Sequence, residues 1–388
     1  MDFVGVQGTR FTLAGKDFPI AGTNCYYLGY CPPDIPRVAE SVFDSARSMA
    51  LNVLRIWAFL EPSVSPVSSA GLPWGAYFQY LDGNVIKPNE SATGLARLDR
   101  AVALAADRGI KLVLVLTNSL PDFGGMDQYT QWLSPNQQTL FHDEFYDRPD
   151  LCAQYEDWIR YLALRRNPLT GRLYRDEPAI LAWELANEPR CHSDKGLPAR
   201  GDCVSSGRIL NWVARMSKTL KSVDPNHLVA VGDEGFFKRS VSCSFLYNGS
   251  EGIDGMKLLE VPTIDFGTFH LYPQSWKQNR AFGRRWINQH VKLGRGAGKP
   301  MLLEEFGVSL GDGFVRDAAD RDALYAEWLS AMADQGGAGT LFWMLAGDGP
   351  DGQRFRDGDA FCLFSAHDAP SIAENARNLT GNTGVISA

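Results

Sequence analysis

The sequence predicts an α/β fold, a single (β/α)8 TIM barrel with long loops forming a cleft at one end. Strand-like apolar runs alternate with amphipathic helical stretches along the whole chain, and at most eight of each can be counted. The strand runs are continuously apolar, as in parallel sheets covered by helices. The 388 residues contain no linker or low-complexity tract and suit a barrel with insertions, so we expect one domain over residues 1–388.

The eight strands are predicted at residues 19–27, 52–59, 111–118, 180–187, 228–235, 265–272, 301–307 and 339–345. Between them, apolar residues recur at helical spacing, as in Leu95, Leu98, Val102 and Ala105 and again in Leu210, Val213, Leu220 and Val223. Such spacing gives each helix one apolar face to place on the sheet. Lysines in the last turn before Pro225 indicate where the second of these helices ends.

Four connections that follow strands are unusually long, at residues 61–91, 119–150, 190–205 and 236–263. In a barrel, all of them extend the face at the carboxyl ends of the strands. They are rich in aromatic residues, namely Trp74, Tyr77, Phe78, Tyr80, Trp132, Phe141, Phe145 and Tyr146. We expect a cleft whose rings stack on sugar faces; the alternative is that each ring only holds its own loop together.

Composition excludes several classes of function. With 45% hydrophobic and 21% charged residues, the chain is an ordinary globular protein. The net charge of −7, without a basic run, argues against nucleic-acid and anionic-membrane partners. No apolar run approaches a membrane span, and the first residues lack the pattern of a signal peptide. We expect a monomer.

The seven cysteines suggest two short disulfide loops, Cys25–Cys31 and Cys191–Cys203, and neither pair has zinc-site spacing. Glycosylation sequons at Asn89, Asn248 and Asn378 are compatible with secretion, so we expect an extracellular protein. No HExxH, GxSxG or paired-histidine motif occurs. The glycine-rich residues 294–299 precede a strand and have the wrong spacing for a phosphate loop. We therefore expect no metal and no organic cofactor.

Two glutamates carry the chemistry that the pattern predicts. Glu188 and Glu305 end the fourth and seventh predicted strands, which face each other obliquely across a barrel mouth. Two carboxyl groups across a cleft are the working parts of glycoside hydrolysis, and Asn187 stands where it can hold a sugar 2-hydroxyl. The alternative for each glutamate is a structural role, as a helix cap or as a salt-bridge partner of Arg55.

Side-chain alternation lets only one residue of the Glu304–Glu305 pair reach the mouth, and alternation alone does not choose between them. We expect the other residue, Glu304, to lie against the helix layer with a basic partner. His270 and Tyr272 share one face of the sixth strand, where they can tune the nucleophile.

Three further side chains are candidates for the same site. Arg55 interrupts an apolar strand and needs a partner, for which an ionised catalytic carboxylate is suitable. Trp343 ends the eighth strand, where its ring can form the floor of a sugar site. Arg190, two residues after Glu188, either reaches a leaving-group sugar or pairs with an acidic loop residue.

Taken together, these motifs resemble the endo-β-1,4-mannanases of glycoside hydrolase family 5, in the clan A barrels. The resemblance runs from Phe3 to the last helix, and its most specific segments are AGTNC (21–25), LRIWAF (54–59), DFGGMDQY (122–129), WELANEPRC (183–191), VGDEGF (231–236), GTFHLYP (267–273), LEEFG (303–307) and LFW (341–343). The family resemblance implies a β-mannan or manno-oligosaccharide substrate and a retaining mechanism.

By the same resemblance, Glu188 matches the acid/base and Glu305 the nucleophile. Arg55, Asn187, His270, Tyr272 and Trp343 match the surround of the −1 subsite, and Trp57, Trp276 and Arg190 complete the predicted substrate-binding set. The sequence departs from the family at Gln274, Met344 and Leu120-Pro121, which places chain-length preference in question. The alternatives are an exo-acting β-mannosidase or transglycosylase, a β-1,4-glucanase of the same clan, and an inactive sugar-binding barrel.

Overall fold

A computed structural model describes residues 2–32, 36–61, 75–239, 241–347 and 360–381. Its strands are β1 (Val4–Gln7), β2 (Arg10–Leu13), β3 (Lys16–Asp17), β4 (Ile20–Asn24), β5 (Val53–Trp57), β6 (Gln79–Asp82), β7 (Val85–Pro88), β8 (Lys111–Val115), β9 (Ile180–Glu184), β10 (Leu228–Ala230), β11 (Gly267–Leu271), β12 (Met301–Phe306) and β13 (Gly339–Phe342). All eight predicted barrel strands are confirmed as β4, β5 and β8 to β13, each somewhat shorter than its apolar run.

The eight barrel strands form one parallel sheet in the order β10-β9-β8-β5-β4-β13-β12-β11. The two ends of this sheet, β10 and β11, meet through backbone hydrogen bonds. The amide of Asp265 donates to the carbonyl of Val229 at 2.8 Å, and the amide of His270 donates to the carbonyl of Glu234 at 3.2 Å. The sheet is therefore a nearly closed barrel, and the carboxyl ends of all eight strands lie on one rim.

The helices are α1 (Pro36–Ser48), α2 (Leu95–Arg108), α3 (Gly125–Trp132), α4 (Pro149–Leu164), α5 (Cys203–Ser206), α6 (Arg208–Val223), α7 (Phe245–Asn248), α8 (Gly255–Leu259), α9 (Arg280–Ala297), α10 (Ala318–Gln335) and α11 (Pro370–Thr380). The apolar face predicted for α2 is buried as expected, since Leu95, Leu98, Val102 and Ala105 are all inaccessible. Among the described residues, no helix is both long and apolar enough to span a membrane.

Two small sheets add to the predicted barrel. β1, β2 and β3 form an antiparallel sheet at the amino-terminal end, where Phe11 packs edge-on against Phe266 with ring centroids 5.1 Å apart. Val4 and Phe11 join the apolar cluster that contains Ile20 and Val53 from the barrel strands. β6 and β7 form a hairpin within the long connection after β5. These strands have two to four residues each, too few for a periodic pattern to predict them.

The structure decides between the two suggested disulfides. Cys191 and Cys203 are bonded, with an S–S distance of 2.00 Å. The suggested Cys25–Cys31 bond is wrong, because both residues are buried thiols and the Sγ of Cys31 lies 3.7 Å from the carbonyl of Tyr27. Short sequence separation alone does not bring two sulfur atoms into bonding geometry.

Candidate active site

The carboxyl ends of the barrel strands surround a cavity of about 580 Å³. Eight of the ten residues predicted for the site line it, namely Trp57, Asn187, Glu188, Arg190, Tyr272, Trp276, Glu305 and Trp343. The other two, Arg55 and His270, are fully buried directly behind these residues. Strands distant in sequence thus deliver all ten to one end of the barrel, as expected for parallel strands in a closed sheet.

Arg55, on β5, is the hub of the buried polar network. Its Nη1 donates to Oε1 of Glu305 at 2.5 Å, its Nη2 to Oδ1 of Asn187 at 2.9 Å and its Nε to Oε2 of Glu184 at 2.9 Å. Burial by itself lowers the pKa of Arg55, but the nearby carboxylates of Glu184, Glu304 and Glu305 raise that pKa well above its usual value. The guanidinium is therefore a permanent cation beside Glu305.

The pKa of Glu305 is raised above its ordinary value, and its hydrogen-bond partners oppose this rise. Burial raises the pKa of Glu305, whereas His270, Arg55 and the hydroxyl of Tyr272 lower it. The Tyr272 hydroxyl donates to Oε2 of Glu305 at 2.7 Å, so each carboxylate oxygen accepts a hydrogen bond. Hydrogen bonds and a cation aimed at a carboxylate stabilise its charge.

Glu188 has a different environment. Its Oε1 lies 2.7 Å from Nδ1 of His270. Burial raises the pKa of Glu188, an effect that the charges of Arg190 and Arg55 partly offset. Burial lowers the pKa of His270, which favours a neutral imidazole. A buried carboxyl beside a neutral ring is suited to retain a proton that it later donates.

The backbone at Glu188 is also unusual, because its φ of +47° lies in the left-handed region that non-glycine residues rarely adopt. The amide of Glu188 donates to the carbonyl of Gly232 at 2.9 Å. Gly232 itself has a φ of +88°, and a Cβ there would lie 2.1 Å from the carbonyl oxygen of Ala186. This close approach of two strand ends turns the Glu188 side chain toward the cavity.

The two glutamates are close together. Glu188, His270 and Glu305 each place one polar side-chain atom within 4.8 Å of the other two. Retaining glycosidases hold their two carboxyl groups about 5–5.5 Å apart, whereas inverting enzymes keep roughly 6.5–9.5 Å between them for a water molecule. Carboxylate oxygens within 4.8 Å of each other are closer than the inverting spacing, as the retaining class requires.

Glu304 does not lie where alternation predicted it. It is fully buried inside the barrel, with its Oε2 3.7 Å from Nε of Arg55 and 3.6 Å from Nε2 of His270. The predicted basic partner is present as Arg55, but the predicted place against the helix layer is wrong. The pairing of β11 with β12 shifts register between Phe269 and His270, and this irregularity disturbs the regular alternation.

Arg190 lines the cavity and is also held by acidic residues, so both sequence-based alternatives describe part of its environment. Its Nε donates to Oε2 of Glu234 at 2.7 Å, and its Nη1 donates to Oε2 of Glu251 at 3.1 Å. Burial raises the pKa of Glu234 to about 7, although the charge of Arg190 opposes this effect. Glu234 also lines the cavity and was not among the predicted site residues.

Comparison with known proteins agrees with this geometry. Residues 1–363 match the model of a family described as GH family 5 beta-mannosidase-like. The chain belongs to glycoside hydrolase family 5. It is 35% identical over 373 residues to a mannan endo-1,4-beta-mannosidase A of Podospora anserina, covering 93% of this chain and 89% of the relative. It is 36% identical over 384 residues to a mannan endo-1,4-beta-mannosidase 2 of Oryza sativa, covering 92% and 79% respectively.

Solved structures lead to the same family. This glycoside hydrolase superposes on an endo-1,4-beta-mannanase from Rhizomucor miehei with a TM-score of 0.85 and 34% identity, covering 98% of this chain and 99% of the other. An endo-1,4-beta-D-mannanase from Thermotoga petrophila gives a TM-score of 0.79 at 37% identity, covering 93% of this chain and 100% of the other.

The aromatic lining of this family 5 enzyme differs from the prediction. None of the described loop aromatics named from the sequence lines the cavity, and Trp74 lies outside the described residues. Phe145 and Tyr146 are buried against Trp212 of α6, and Phe78 is buried against Tyr30. The rings that line it are Tyr26, Trp57, Phe123, Phe245, Tyr272, Trp276, Trp343 and Phe361. These three predicted loop rings therefore pack into the core, and four of the lining rings, Tyr26, Trp57, Tyr272 and Trp343, lie at or within two residues of a strand end.

Two of the cavity-lining rings that were not predicted could have been identified from the sequence. Tyr26 lies at the end of the first predicted strand, and Phe123 belongs to the family-like segment 122–129. Tyr26 stacks with Trp343, with ring centroids 5.9 Å apart and an interplanar angle of 8°. The ends of β4 and β13 thus jointly form an aromatic wall, because these two strands are neighbours in the barrel.

The residues at which this glycoside hydrolase departs from the family pattern have different locations in the structure. Leu120 lines the cavity, whereas Met344 is fully buried. Gln274 accepts a hydrogen bond from the amide of Ser309 at 2.8 Å and donates to the Oγ of Ser309 at 2.8 Å. Gln274 therefore connects the loops that follow β11 and β12, on either side of Glu305.

Proposed function

We propose that this family 5 glycoside hydrolase cleaves β-1,4-mannosidic bonds in mannan, glucomannan or galactomannan with retention of anomeric configuration. One observation carries the proposal: two carboxyl groups that lie within 4.8 Å of each other have different hydrogen-bond partners. Glu305 accepts hydrogen bonds from Arg55 and Tyr272, which favour its charge, whereas Oε1 of Glu188 lies 2.7 Å from Nδ1 of His270, whose pKa burial lowers.

In the first step, the Glu305 carboxylate attacks the anomeric carbon of the −1 mannose while Glu188 donates its proton to the leaving glycosidic oxygen. The glycosidic bond breaks as the bond to Glu305 forms. In the second step, Glu188, now ionised, removes a proton from water, and the resulting nucleophile displaces Glu305 from the sugar. Two inversions at one carbon give net retention.

The surrounding groups have supporting roles in the proposal. Asn187 holds the 2-hydroxyl of the −1 sugar, Trp343 and Tyr26 supply the aromatic wall, and Arg190 faces the leaving-group side next to Glu188. Each of these side chains lines the cavity. The chemistry uses side chains of one chain only, so we propose a monomeric enzyme with one catalytic barrel domain over residues 1–388.

We further propose that the enzyme acts within chains and outside the cell. The names of the relatives, mannan endo-1,4-beta-mannosidases, support endo action. The Cys191–Cys203 disulfide supports an oxidising location, since such bonds persist mainly in secreted proteins. Of the three sequons, Asn89 is buried and donates to the carbonyl of Tyr77, whereas Asn378 is exposed.

Product analysis on mannohexaose and galactomannan gum tests the mode of action. Products of two to four sugars with a rapid fall in gum viscosity are expected for an endo-mannanase. Release of mannose alone at unchanged viscosity would identify an exo-acting enzyme, and transglycosylation would appear as products longer than the substrate. Higher activity on carboxymethylcellulose would identify a glucanase, and no product from any of these substrates would point to a sugar-binding barrel.

Azide rescue tests the two roles directly. Glu188→Ala and Glu305→Ala should each lose several orders of magnitude in kcat with folding intact. With an activated aryl mannobioside, azide should give a β-glycosyl azide in Glu188→Ala and an α-glycosyl azide in Glu305→Ala, because azide replaces a different partner in each variant. The same azide anomer from both variants would contradict the assignment.

A further inference from the structure

A buried chain of three side chains supports the turn that carries Glu188. We propose that Asp127, His142 and Ser119 are positioning residues that fix the acid/base for proton transfer. Asp127 lies on α3, His142 in the 3-10 helix His142–Tyr146 and Ser119 in the loop after β8. All three are at least nine-tenths buried, and this role rests on the proposed function of Glu188.

The hydrogen bonds run in one direction along this chain. Oδ1 of Asp127 lies 2.6 Å from Nδ1 of His142, so the carboxylate accepts the ring N–H. Nε2 of His142 is then an acceptor, and it lies 3.1 Å from Oγ of Ser119, which donates to it. Oγ of Ser119 in turn accepts from the amide of Arg190 at 3.1 Å. The network assigns the histidine tautomer, because the other neutral tautomer would place an unprotonated Nδ1 against the Asp127 carboxylate, with two acceptors facing each other.

Ser119 forms hydrogen bonds with the backbone on both sides of Glu188. Its amide donates to the carbonyl of Asn187 at 3.1 Å, and its Oγ accepts from the amide of Arg190. The carbonyl of Ser119 accepts from Oγ of Ser193 at 2.8 Å. Glu188, with its φ of +47°, lies between these two contacts. A non-glycine residue keeps such a conformation only where its surroundings fix it, and Ser119 provides two of the fixing contacts.

The same three residue types form the nucleophilic triads of many hydrolases. Here Ser119 is only 1% exposed and its Oγ already accepts a hydrogen bond, so it is not available to attack a substrate. The three hydrogen-bonded side chains therefore act on the backbone geometry around Glu188. A small displacement of an acid/base slows proton transfer, because the donor must lie within hydrogen-bond reach of the leaving oxygen.

Leaving-group dependence tests this inference. Ser119→Ala removes the hydroxyl and its bond to the Arg190 amide but keeps the backbone bonds to Asn187 and Ser193. Asp127→Asn weakens the tautomer preference of His142. For both variants, we expect kcat/KM on mannotetraose to fall on the order of tenfold to a hundredfold. On 2,4-dinitrophenyl β-mannobioside, whose leaving group needs no proton, kcat/KM should stay near the wild-type value. Azide should raise kcat on this substrate and give the β-azide.

His227→Gln provides the matched control. His227 is likewise fully buried, with Nδ1 2.6 Å from Oδ2 of Asp224, but it precedes β10 at the amino-terminal end of the barrel. Its loss should change thermal stability without changing the ratio of the two kcat/KM values. An equal loss on both substrates in Ser119→Ala and Asp127→Asn, or no loss on either, would overturn the positioning role. Wild-type protein that cleaves neither substrate would instead contradict the proposed function.

Discussion

Nη1 of Arg55 lies 2.5 Å from Oε1 of Glu305, which pairs the proposed nucleophile with a cation that has no contact with solvent. The second oxygen of Glu305 accepts from the hydroxyl of Tyr272 at 2.7 Å. Because the pKa of Glu305 reflects burial opposed by His270, Arg55 and Tyr272, removal of any one donor should make ionisation harder. The ionisation of the nucleophile is thus set by residues from β5 and from the end of β11.

Tyr272→Phe tests this balance. The variant loses a hydrogen bond that favours the carboxylate, so the pKa of Glu305 rises. The acid limb of the kcat/KM profile should move to higher pH by about one unit, the equivalent of roughly 1.5 kcal/mol for a hydrogen bond to a charged group. Tyr247→Phe is the control, because the Tyr247 hydroxyl donates to Gln289 at 3.0 Å and Tyr247 does not line the cavity. An acid limb at the wild-type position in Tyr272→Phe would contradict the role of the hydroxyl.

Glu304→Gln tests whether Glu304 is protonated in the folded protein. Burial, followed by the charge of Glu184, raises the pKa of Glu304 well above its ordinary value of 4.5. At a pH between 4.5 and the raised pKa, Glu304 is protonated in the folded protein and releases that proton on unfolding. The free energy of unfolding of the wild-type protein therefore falls by up to about 1.4 kcal/mol per pH unit as the pH rises between these two values. Glutamine has no proton to release, and the stability of Glu304→Gln relative to wild type should therefore increase with pH.

Urea unfolding at several pH values between about 5 and 7 measures this difference. Glu184→Gln is a comparison variant: Glu184 accepts from Nε of Arg55 at 2.9 Å, so its loss leaves the guanidinium with fewer partners and also removes a charge that raises the pKa of Glu304. Glu184→Gln should be destabilised throughout the range. A stability difference between Glu304→Gln and wild type that does not change with pH would show that Glu304 is ionised in the folded state.

Cys203→Ser should lower the free energy of unfolding by about 3 kcal/mol, since the disulfide to Cys191 closes a loop of 12 residues in the unfolded chain. The amide of Cys191 donates to the carbonyl of Glu251 at 2.8 Å, which connects this loop to an acidic partner of Arg190. Chemical denaturation of the variant and of reduced wild type measures the loss. Cys152→Ser, at a buried thiol outside the disulfide, controls for the substitution.

Trp343→Ala should weaken binding of mannohexaose by about 1–2 kcal/mol, because it removes half of the stacked pair with Tyr26 in the cavity wall. Trp132→Ala is the control, since Trp132 was predicted to line the cleft but is absent from the cavity lining. Isothermal titration with the Glu188→Ala background measures binding without turnover. Equal losses for both tryptophan variants would contradict the assignment of the wall.

Much of the site followed from local sequence. Arg55 was expected to need an ionised partner because it interrupts an apolar strand, and the structure pairs it with Glu305. Glu184, an acidic residue in an equally apolar strand, carried the same signal and is the other main partner of Arg55. A charge within a buried strand demands a counter-charge, but the sequence does not say which strand supplies it.

The Asp127–His142–Ser119 chain had no local signal. Its members lie up to 23 residues apart within the single long connection 119–150, and only the folded loop brings their side chains together. The register shift between β11 and β12 places Glu304 inside the barrel. The sequence did not predict this shift, because a single irregular strand pairing does not change the hydrophobic periodicity.

The sequence by itself determined the eight strands, their parallel order of connection and the two glutamates at the strand ends, because burial imposes an apolar pattern that polar residues visibly interrupt. The tertiary structure alone decided which rings line the cavity, where Glu304 lies and what holds Glu188 in place. These features depend on distances between segments far apart in the chain, and hydrophobic periodicity contains no information about such distances.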